Sequence, residues 1–225
     1  MKDVAKNPTT WSKRKRATLI GVCVAAIMVP LDITIVGLAL ESIGQGLSAN
    51  FAELQWAVNG YTVVFASFLL TAGSLADLYG RRRMLALGIS LFTVSSLLCG
   101  FSQTPLMLDL FRALQGLGAA FVFPSCTAVL AHEFRGAERA KVFGILGSVL
   151  GIGLPLGPLL GGVLTSWLGW RAIFLVNVPI GFGVLALAIP KMSESSDPSA
   201  TRVDPKIMGL KPLPLGSPVI YISSK

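Results

Sequence analysis

Six long apolar stretches constrain the fold of this chain more than any other feature. They cover approximately residues 17–40, 55–76, 84–101, 106–131, 142–168 and 172–190. Each is long enough to be a membrane span, since about 20 helical residues cross a hydrocarbon core of about 30 Å. Backbone polar groups in lipid must find partners within their own segment, so each stretch is predicted to be a helix. The fold class predicted is therefore an all-α membrane protein with six transmembrane helices.

Lysine and arginine residues lie almost entirely on one side of these spans. Six are in the arm at residues 1–16, three follow the second span, three follow the fourth, and five are in the tail at residues 191–225. The connectors after the first, third and fifth spans hold only one, Arg171. Basic residues concentrate in cytoplasmic loops. We therefore expect a multi-pass protein of the cell (inner or plasma) membrane, with both termini in the cytoplasm.

Composition excludes several other classes of protein. Only 13% of the residues are charged, about half the usual share in soluble domains. The net charge of +8 comes from clusters between uncharged runs, not from one basic face, so nucleic-acid binding is not expected. The three cysteines lie within apolar stretches and show no metal-binding spacing. No metal site, catalytic triad or phosphate-binding loop is evident, and an enzyme is not expected.

Two opposite charges lie inside the apolar stretches. Asp32 is in the first span and Arg112 is in the fourth. Counted from the predicted outer ends of their spans, both lie at a depth of about 10–14 Å at ~1.5 Å per residue. A desolvated charge needs a partner, and Arg112 has two candidates: Asp32 at the same depth, and Asp109 three residues earlier on the same helix face. Gln115 adds a polar group to that face.

The fifth span carries glycines at a spacing of four. Gly153, Gly157 and Gly161 form one bare helix face that permits the close approach of another helix. Pro155 and Pro158 lie within the same stretch, and each removes a backbone hydrogen bond. We interpret this span as a bending element as well as a packing surface. Asn177 and Pro179 predict a local irregularity in the sixth span.

A short basic connector, GSLADLYGRRR at residues 73–83, joins the second and third spans. Its arginines are expected to hold the connector in the cytoplasm, and Asp77 is expected to pair with Arg81 four residues later. Residues 191–204 are rich in serine, proline and charge, which is typical of a flexible linker. Residues 205–225 contain neither an apolar span nor a clear period.

Five sequence stretches together resemble the major facilitator superfamily, in particular the N-terminal half of its fourteen-span drug–proton antiporters. The resemblance covers about residues 17–204. The stretches that carry it are LDITIVGLAL (31–40), GSLADLYGRRR (73–83), LDLFRALQGLGAA (108–120), GIGLPLGPLLGG (151–162) and WRAIFLVNVPIG (170–181). Their order along the chain is the order in the family.

The resemblance implies a six-helix bundle built as a 3+3 inverted repeat, and proton-coupled export of drugs or toxic amphipathic compounds by alternating access. It implies no cofactor beyond the proton gradient, and a small amphipathic or cationic substrate. Residues implied in proton coupling and transport are Asp32, Thr34, Arg112 and Gln115. Residues implied in a gating loop are Gly73, Asp77, Gly80, Arg81 and Arg82. Residues implied in a moving helix seam are Gly153, Gly157, Pro158, Gly161 and Gly162.

Two departures from the family pattern lie in the first span. The family usually has Asn where Gly37 stands and Pro where Glu41 stands, and the missing amide argues against a polar cluster near Asp32.

A glycine-rich face on the fifth span is also expected to be exposed to lipid in an isolated half.

The length of the chain leaves two hypotheses. It is either an antiporter half that works with a second bundle, supplied by another chain or a second copy, or a non-transporting six-span membrane protein. The latter would be a truncated product or an assembly partner of a full-length transporter. The abrupt end of the resemblance near residue 204 is what a shifted reading frame would produce.

Overall fold

The computed structural model describes residues 11–196, and within them it contains six helical spans, as predicted. The first five are single helices: α1 (Lys13–Leu47), α2 (Phe51–Tyr79), α3 (Arg81–Gly100), α4 (Pro105–Glu133) and α5 (Ala137–Leu168). The sixth is interrupted and consists of α6 (Ala172–Leu175), α7 (Asn177–Gly183), a π-helical turn (Val184–Ala188) and a 3-10 turn (Ile189–Lys191). The chain is therefore a multi-pass membrane protein.

The helices extend beyond the apolar stretches that predicted them. α1 continues to Leu47, past residue 40, because Ile43 and Leu47 still bury their side chains against the bundle. The apolar pattern marks what lies in lipid, whereas the helix continues until its backbone is capped. Asp32 consequently lies near the middle of α1 and not near one end.

Local sequence explains where the helices start and stop. Asn50 and Glu53 form a reciprocal capping box at the start of α2, which satisfies two backbone donors that the first helical turn leaves free. The turn between α2 and α3 is a single residue, Gly80, with φ of 107°, a conformation that glycine adopts at little steric cost. Gly136 provides the turn before α5 in the same way, with φ of 56°.

The sixth span breaks where the sequence predicted an irregularity. Pro179 has no N–H to donate to the carbonyl of Leu175, four residues earlier. Helix α6 ends at Leu175, and α7 begins at Asn177. The break places Asn177 at the start of a new helical segment, with its side chain directed into the bundle, where only 5% of the residue is exposed.

Helix packing in the bundle follows a repeated pattern. Helix α4 packs between α2 and α3, and α1 packs between α5 and the sixth span. If the first, second and third spans correspond to the fourth, fifth and sixth, then the α2–α4 contact corresponds to the α5–α1 contact. This correspondence is the one expected of a 3+3 repeat. We call the end with the Gly80 and Gly136 turns the basic end, and the other the opposite end.

Glycines set the distance between the packed helices. A side chain at Gly116 would overlap the backbone carbonyl of Tyr61 on α2, and one at Gly118 would lie 2.6 Å from the backbone nitrogen of Phe92 on α3. Both neighbours are main-chain atoms, which cannot rotate away. Helix α4 can therefore approach α2 and α3 closely only because these two positions have no side chain.

We expect Gly116→Ala to lower the thermal stability of the detergent-solubilised chain, by about 1–3 kcal/mol, because the added methyl group forces α2 and α4 apart. Gly147→Ala is the matched control, since nothing lies within 4 Å of that position. Its stability should be equal or slightly higher, because alanine is the better helix former by about 1 kcal/mol. Thermal unfolding followed by far-ultraviolet circular dichroism measures both. Equal melting temperatures for the two variants would contradict this account of the packing.

Candidate functional site

The two intramembrane charges form an ion pair in the centre of the bundle. Arg112 Nη1 lies 2.5 Å from Asp32 Oδ2, and each residue is only 1% exposed. The expectation that they lie at one depth is confirmed, and the choice left open between Asp32 and Asp109 is decided for Asp32. Two charges removed from water at this depth require close pairing and further hydrogen bonds to be tolerated.

Amide and hydroxyl groups complete the surroundings of Asp32. Its Oδ1 accepts hydrogen bonds from Gln115 Nε2 at 2.9 Å and from Asn177 Nδ2 at 3.2 Å. Both amides also reach Ser96 Oγ, at 2.6 Å from Gln115 and 3.3 Å from Asn177. An ionised carboxylate can only accept hydrogen bonds, so the three donors, from Arg112, Gln115 and Asn177, match the charged form of Asp32. We call Asp32, Arg112, Gln115, Ser96 and Asn177 the Asp32 cluster.

The guanidinium group of Arg112 is equally enclosed. Its Nε donates to the backbone carbonyl of Ala57 at 3.0 Å, and its Nη1 also donates to Gln115 Oε1 at 2.6 Å. The guanidinium carbon lies 4.3 Å from the ring centroid of Tyr61 and 5.8 Å from that of Phe174. Aromatic faces stabilise a cation away from water. The residues of the site therefore come from α1, α2, α3, α4 and the sixth span.

Sequence reasoning found three members of the Asp32 cluster and missed two. Ser96 and Asn177 had not been predicted as site residues, although an asparagine inside an apolar stretch is a usable signal. The argument from Gly37 is wrong. Gly37 faces out of the bundle with nothing within 4 Å, so its identity has no bearing on the polar groups around Asp32, which the sixth span supplies through Asn177.

Thr34 lies outside the Asp32 cluster. Its Oγ1 donates to the carbonyls of Pro30 and Leu31 in its own helix, at 2.9 and 3.1 Å. Two residues along a helix turn the side chain by about 200°, so Thr34 faces α5 while Asp32 faces α4. A side chain at Gly157 of α5 would overlap Thr34 Oγ1.

The glycine-rich face of α5 packs inside the bundle and not toward lipid, contrary to the expectation. Gly153 faces Ile27 and Pro30 of α1, and Gly157 and Gly161 follow the same groove along α1. Adjacent residues of a helix point in different directions, so the other two members of the predicted seam face away from α1. Pro158 is exposed, and nothing lies within 4 Å of Gly162. The α1–α5 contact thus uses only three of the five predicted positions.

The connector between α2 and α3 contains the predicted ion pair. Asp77 Oδ1 accepts hydrogen bonds from Arg81 Nε and Nη2 at 2.9 and 2.8 Å. Gly80 makes the turn, and Gly73 lies against Pro124 of α4, where an added Cβ would stand 3.7 Å from the proline Cβ. Arg82 contributes its backbone N–H, which donates to Glu194 Oε1 at 3.2 Å.

Glu194 connects the end of the sixth span to this connector, and sequence reasoning had not anticipated it. Its other carboxylate oxygen lies 3.6 Å from Arg83 Nε, and the backbone N–H of Arg81 donates to the carbonyl of Ser195 at 2.9 Å. The described part of the segment predicted as a flexible linker therefore packs against the α2–α3 turn as far as Ser195. Residues 197–225, including most of the predicted tail, lie outside the described residues.

Comparison with known proteins identifies the family. The family model of the Major Facilitator Superfamily matches residues 22–221. The chain belongs to this superfamily. The predicted resemblance is confirmed, and members of this family are transporters and not enzymes. The match extends past residue 204, so it includes part of the segment that the sequence had assigned to a tail outside the family pattern.

Similar curated proteins are described as drug exporters. Multidrug resistance protein Stp of Mycobacterium tuberculosis is 41% identical over 83% of this chain, and drug efflux pump JefA of the same species is 38% identical over 85%. The tetracenomycin C resistance and export protein of Streptomyces glaucescens is 36% identical over 85%. The chain spans only 35–38% of the length of these relatives, which fits the predicted half of a larger transporter.

Solved structures agree on the fold. The peptide transporter POT aligns with a TM-score of 0.67 at 16% identity, over 76% of this chain and 37% of its own. A bacterial homologue of the human lysosomal transporter Spinster, in an inward-facing state, aligns with a TM-score of 0.65 at 18% identity, over 81% of this chain and 43% of its own. At these identities the likeness concerns the fold alone.

We expect Arg112→Gln to destabilise the chain by about 3–5 kcal/mol, because it leaves the buried Asp32 carboxylate without its counter-charge. Adding Asp32→Asn should recover part of this loss, since no uncompensated charge then remains. Asp77→Asn is the control, because its pair with Arg81 is partly exposed and should contribute less than about 1 kcal/mol. Thermal unfolding in one detergent measures the three variants. Identical stability of the single and the double variant would refute a net Coulombic contribution.

Proposed function

We propose that this chain forms half of a proton-coupled exporter of small amphipathic compounds, with Asp32 as the group that takes up and releases the proton. The observation that carries the proposal is the buried Asp32–Arg112 pair at the centre of the bundle. Ionisable residues are costly within a membrane and are functional there by default. The drug-exporting relatives support the substrate class, and the large apolar side chains exposed along the six spans support a membrane-embedded role.

Protonation of Asp32 would change the packing of the bundle. The neutral acid no longer attracts Arg112 by charge, whereas Arg112 keeps its bonds to the Ala57 carbonyl and Gln115 on its own side. The link between α1 and α4 is then weakened while the link between α2 and α4 persists. A proton gradient can in this way bias the position of α1 and α5 relative to the other helices. No other cofactor is part of this scheme.

The orientation and the need for a second bundle are also proposals. The concentration of lysine and arginine at the basic end supports a cytoplasmic location for that end and for both termini. Alternating access needs a second bundle, so we propose that such a bundle, a C-terminal half or a second copy, works together with the one described. The short share of the relatives that this chain covers supports the same requirement.

The expected result in cells is efflux of a fluorescent cation such as ethidium that stops when a protonophore collapses the gradient. Asp32→Asn should reduce efflux to the level of cells carrying an empty vector, because its side chain cannot be ionised. Glu41→Gln is the matched control, since it removes an exposed acid from the same helix and should leave efflux unchanged. Efflux should be measured for the chain alone and with the C-terminal half of a drug-exporting relative. The proposal fails if efflux is absent both for the chain alone and for the chain with the C-terminal half.

A further inference from the structure

A groove runs along the outside of the bundle between α1 and the sixth span, with a volume of about 380 Å³. One wall is formed by Ala17, Ile20 and Val24 of α1, and the other by residues of the sixth span from Pro179 to Lys191. At ~1.5 Å per residue, that part of the sixth span extends about 18 Å toward the basic end. The lining is apolar apart from Lys191, and we call this space the Lys191 groove.

Close helix packing forms the floor of the Lys191 groove. A side chain at Gly21 of α1 would overlap Ala188 of the sixth span, so the two helices touch at this point. Two other lining residues, Ile20 and Leu187, are 64% and 67% exposed, and nothing lies within 4 Å of a Cβ added at Gly183. The groove is therefore closed toward the bundle and open sideways, between apolar edges that face lipid in a membrane.

The sixth span is irregular where it lines the Lys191 groove. Its π-helical turn, Val184–Ala188, contributes three lining residues: Val184, Leu187 and Ala188. Turns of this kind are rare and often occur at functional sites. The coincidence of the turn with the groove favours a binding site over a chance gap between two helices.

The basic residues at the start of α1 lie on different faces of that helix. Arg14 and Lys15 form ion pairs with acids of α4 and α5. Lys13 precedes Ala17 by four residues and Ile20 by seven, a spacing that places all three on one helix face. Among residues 11–196, Lys13 has no ion pair. The groove face of α1 thus begins with a lysine whose charge no described acid neutralises.

Lys191 brings a second positive charge to the same end of the groove. It lies in the last turn of the sixth span, is exposed, and has no ion pair within the described part of the chain. The nearest acid in the sequence, Glu194, instead accepts a hydrogen bond from the backbone N–H of Arg82 and lies 3.6 Å from Arg83. The groove therefore has two lysines at its basic end and apolar walls along its length.

This combination restricts what the groove can hold. Ammonium groups bind phosphate oxygens through charge-assisted hydrogen bonds, and apolar walls open to lipid accommodate a hydrocarbon chain. Basic pockets between transmembrane helices are known to bind acidic lipid head groups. A free phosphate ion would gain nothing from the apolar walls, and a neutral or cationic compound would gain nothing from the two lysines.

We propose that the Lys191 groove binds one anionic phospholipid, with its phosphate at Lys13 and Lys191 and an acyl chain between Ile20 and Leu187. None of the residues that line the groove belongs to the Asp32 cluster. The binding is therefore independent of the proposed export, and it can be measured without any transport.

Native mass spectrometry of the purified 225-residue chain tests the site, with an equimolar mixture of phosphatidylglycerol and phosphatidylcholine that carry the same acyl chains. We expect the parent chain to retain one phosphatidylglycerol in preference to phosphatidylcholine by at least about tenfold, as hydrogen bonds to charged groups provide. The double variant Lys13→Gln with Lys191→Gln should reduce this preference to less than about twofold, because the apolar walls remain and both charges are lost.

Arg135→Gln is the matched control for charge, because it removes an exposed basic residue at the same end of the bundle but outside the groove. Its preference should equal that of the parent. Leu187→Trp fills the groove at a position that is 67% exposed, so it should fold normally and retain less of both lipids. Leu70→Trp is the control for size, since it adds the same ring at an 84% exposed position of α2 and should retain both lipids as the parent does.

The proposal is overturned if the parent retains the two lipids equally, or if the double lysine variant keeps the full preference. It is also overturned if Arg135→Gln loses as much of the preference as the double variant. The two tryptophan variants test the groove even if the lysine variant does not fold. Equal retention of phosphatidylglycerol by Leu187→Trp and Leu70→Trp would overturn the proposal as well.

Discussion

The ion pair between Asp32 and Arg112 is the interaction on which the arrangement of the bundle depends. Neither charge can face lipid, and each has more bonding capacity than the other alone can fill. The remaining capacity is met by Ala57, Gln115 and Asn177, and Ser96 accepts hydrogen bonds from the two amides. Together with the two charges, these groups come from five spans, so the requirement to enclose one pair of charges fixes the relative rotation of five helices. Apolar packing alone would not select one rotation so strongly, because lipid and leucine are equally apolar.

The pair also requires short distances between helices, which the glycines of α4 provide. Arg112 Nε reaches the main chain of α2 at Ala57, one turn from the point where Gly116 lies against the carbonyl of Tyr61. A larger residue at 116 would move α2 away and take the acceptor of Arg112 with it. In this region, the hydrogen bonding of Arg112 therefore depends on the close packing of α4 against α2. This explains why an arginine, a glutamine and two glycines lie within seven residues of sequence.

Sequence alone predicted the spans and most of the charged site, but not how the site is closed. Depth along two helices was enough to suggest that Asp32 and Arg112 meet. It could not exclude Asp109, because residues three apart on one helix are neighbours whatever the tertiary structure. Ser96 and Asn177 were missed because the sequence does not show which way a single polar residue in an apolar stretch faces. That direction is known only once the rotation of its helix is known. Gly37 misled for the same reason, since its position in the sequence does not reveal that it faces outward.

The two equivalent helix contacts of the repeat differ in how firmly they are held. At the α2–α4 contact, Arg112 bonds across the interface and its guanidinium group lies over Tyr61. At the α1–α5 contact, three glycines present bare backbone to Ile27, Thr34 and Ile35 of α1. The side-chain hydrogen bond between these two helices, from Lys15 Nζ to Glu138 Oε2, lies at the basic end and is partly exposed. A surface without interlocking side chains opposes sliding less than one crossed by a buried charged bond. The α1–α5 contact is therefore held chiefly by close backbone packing along the glycines, whereas the α2–α4 contact combines close packing with a buried charged hydrogen bond.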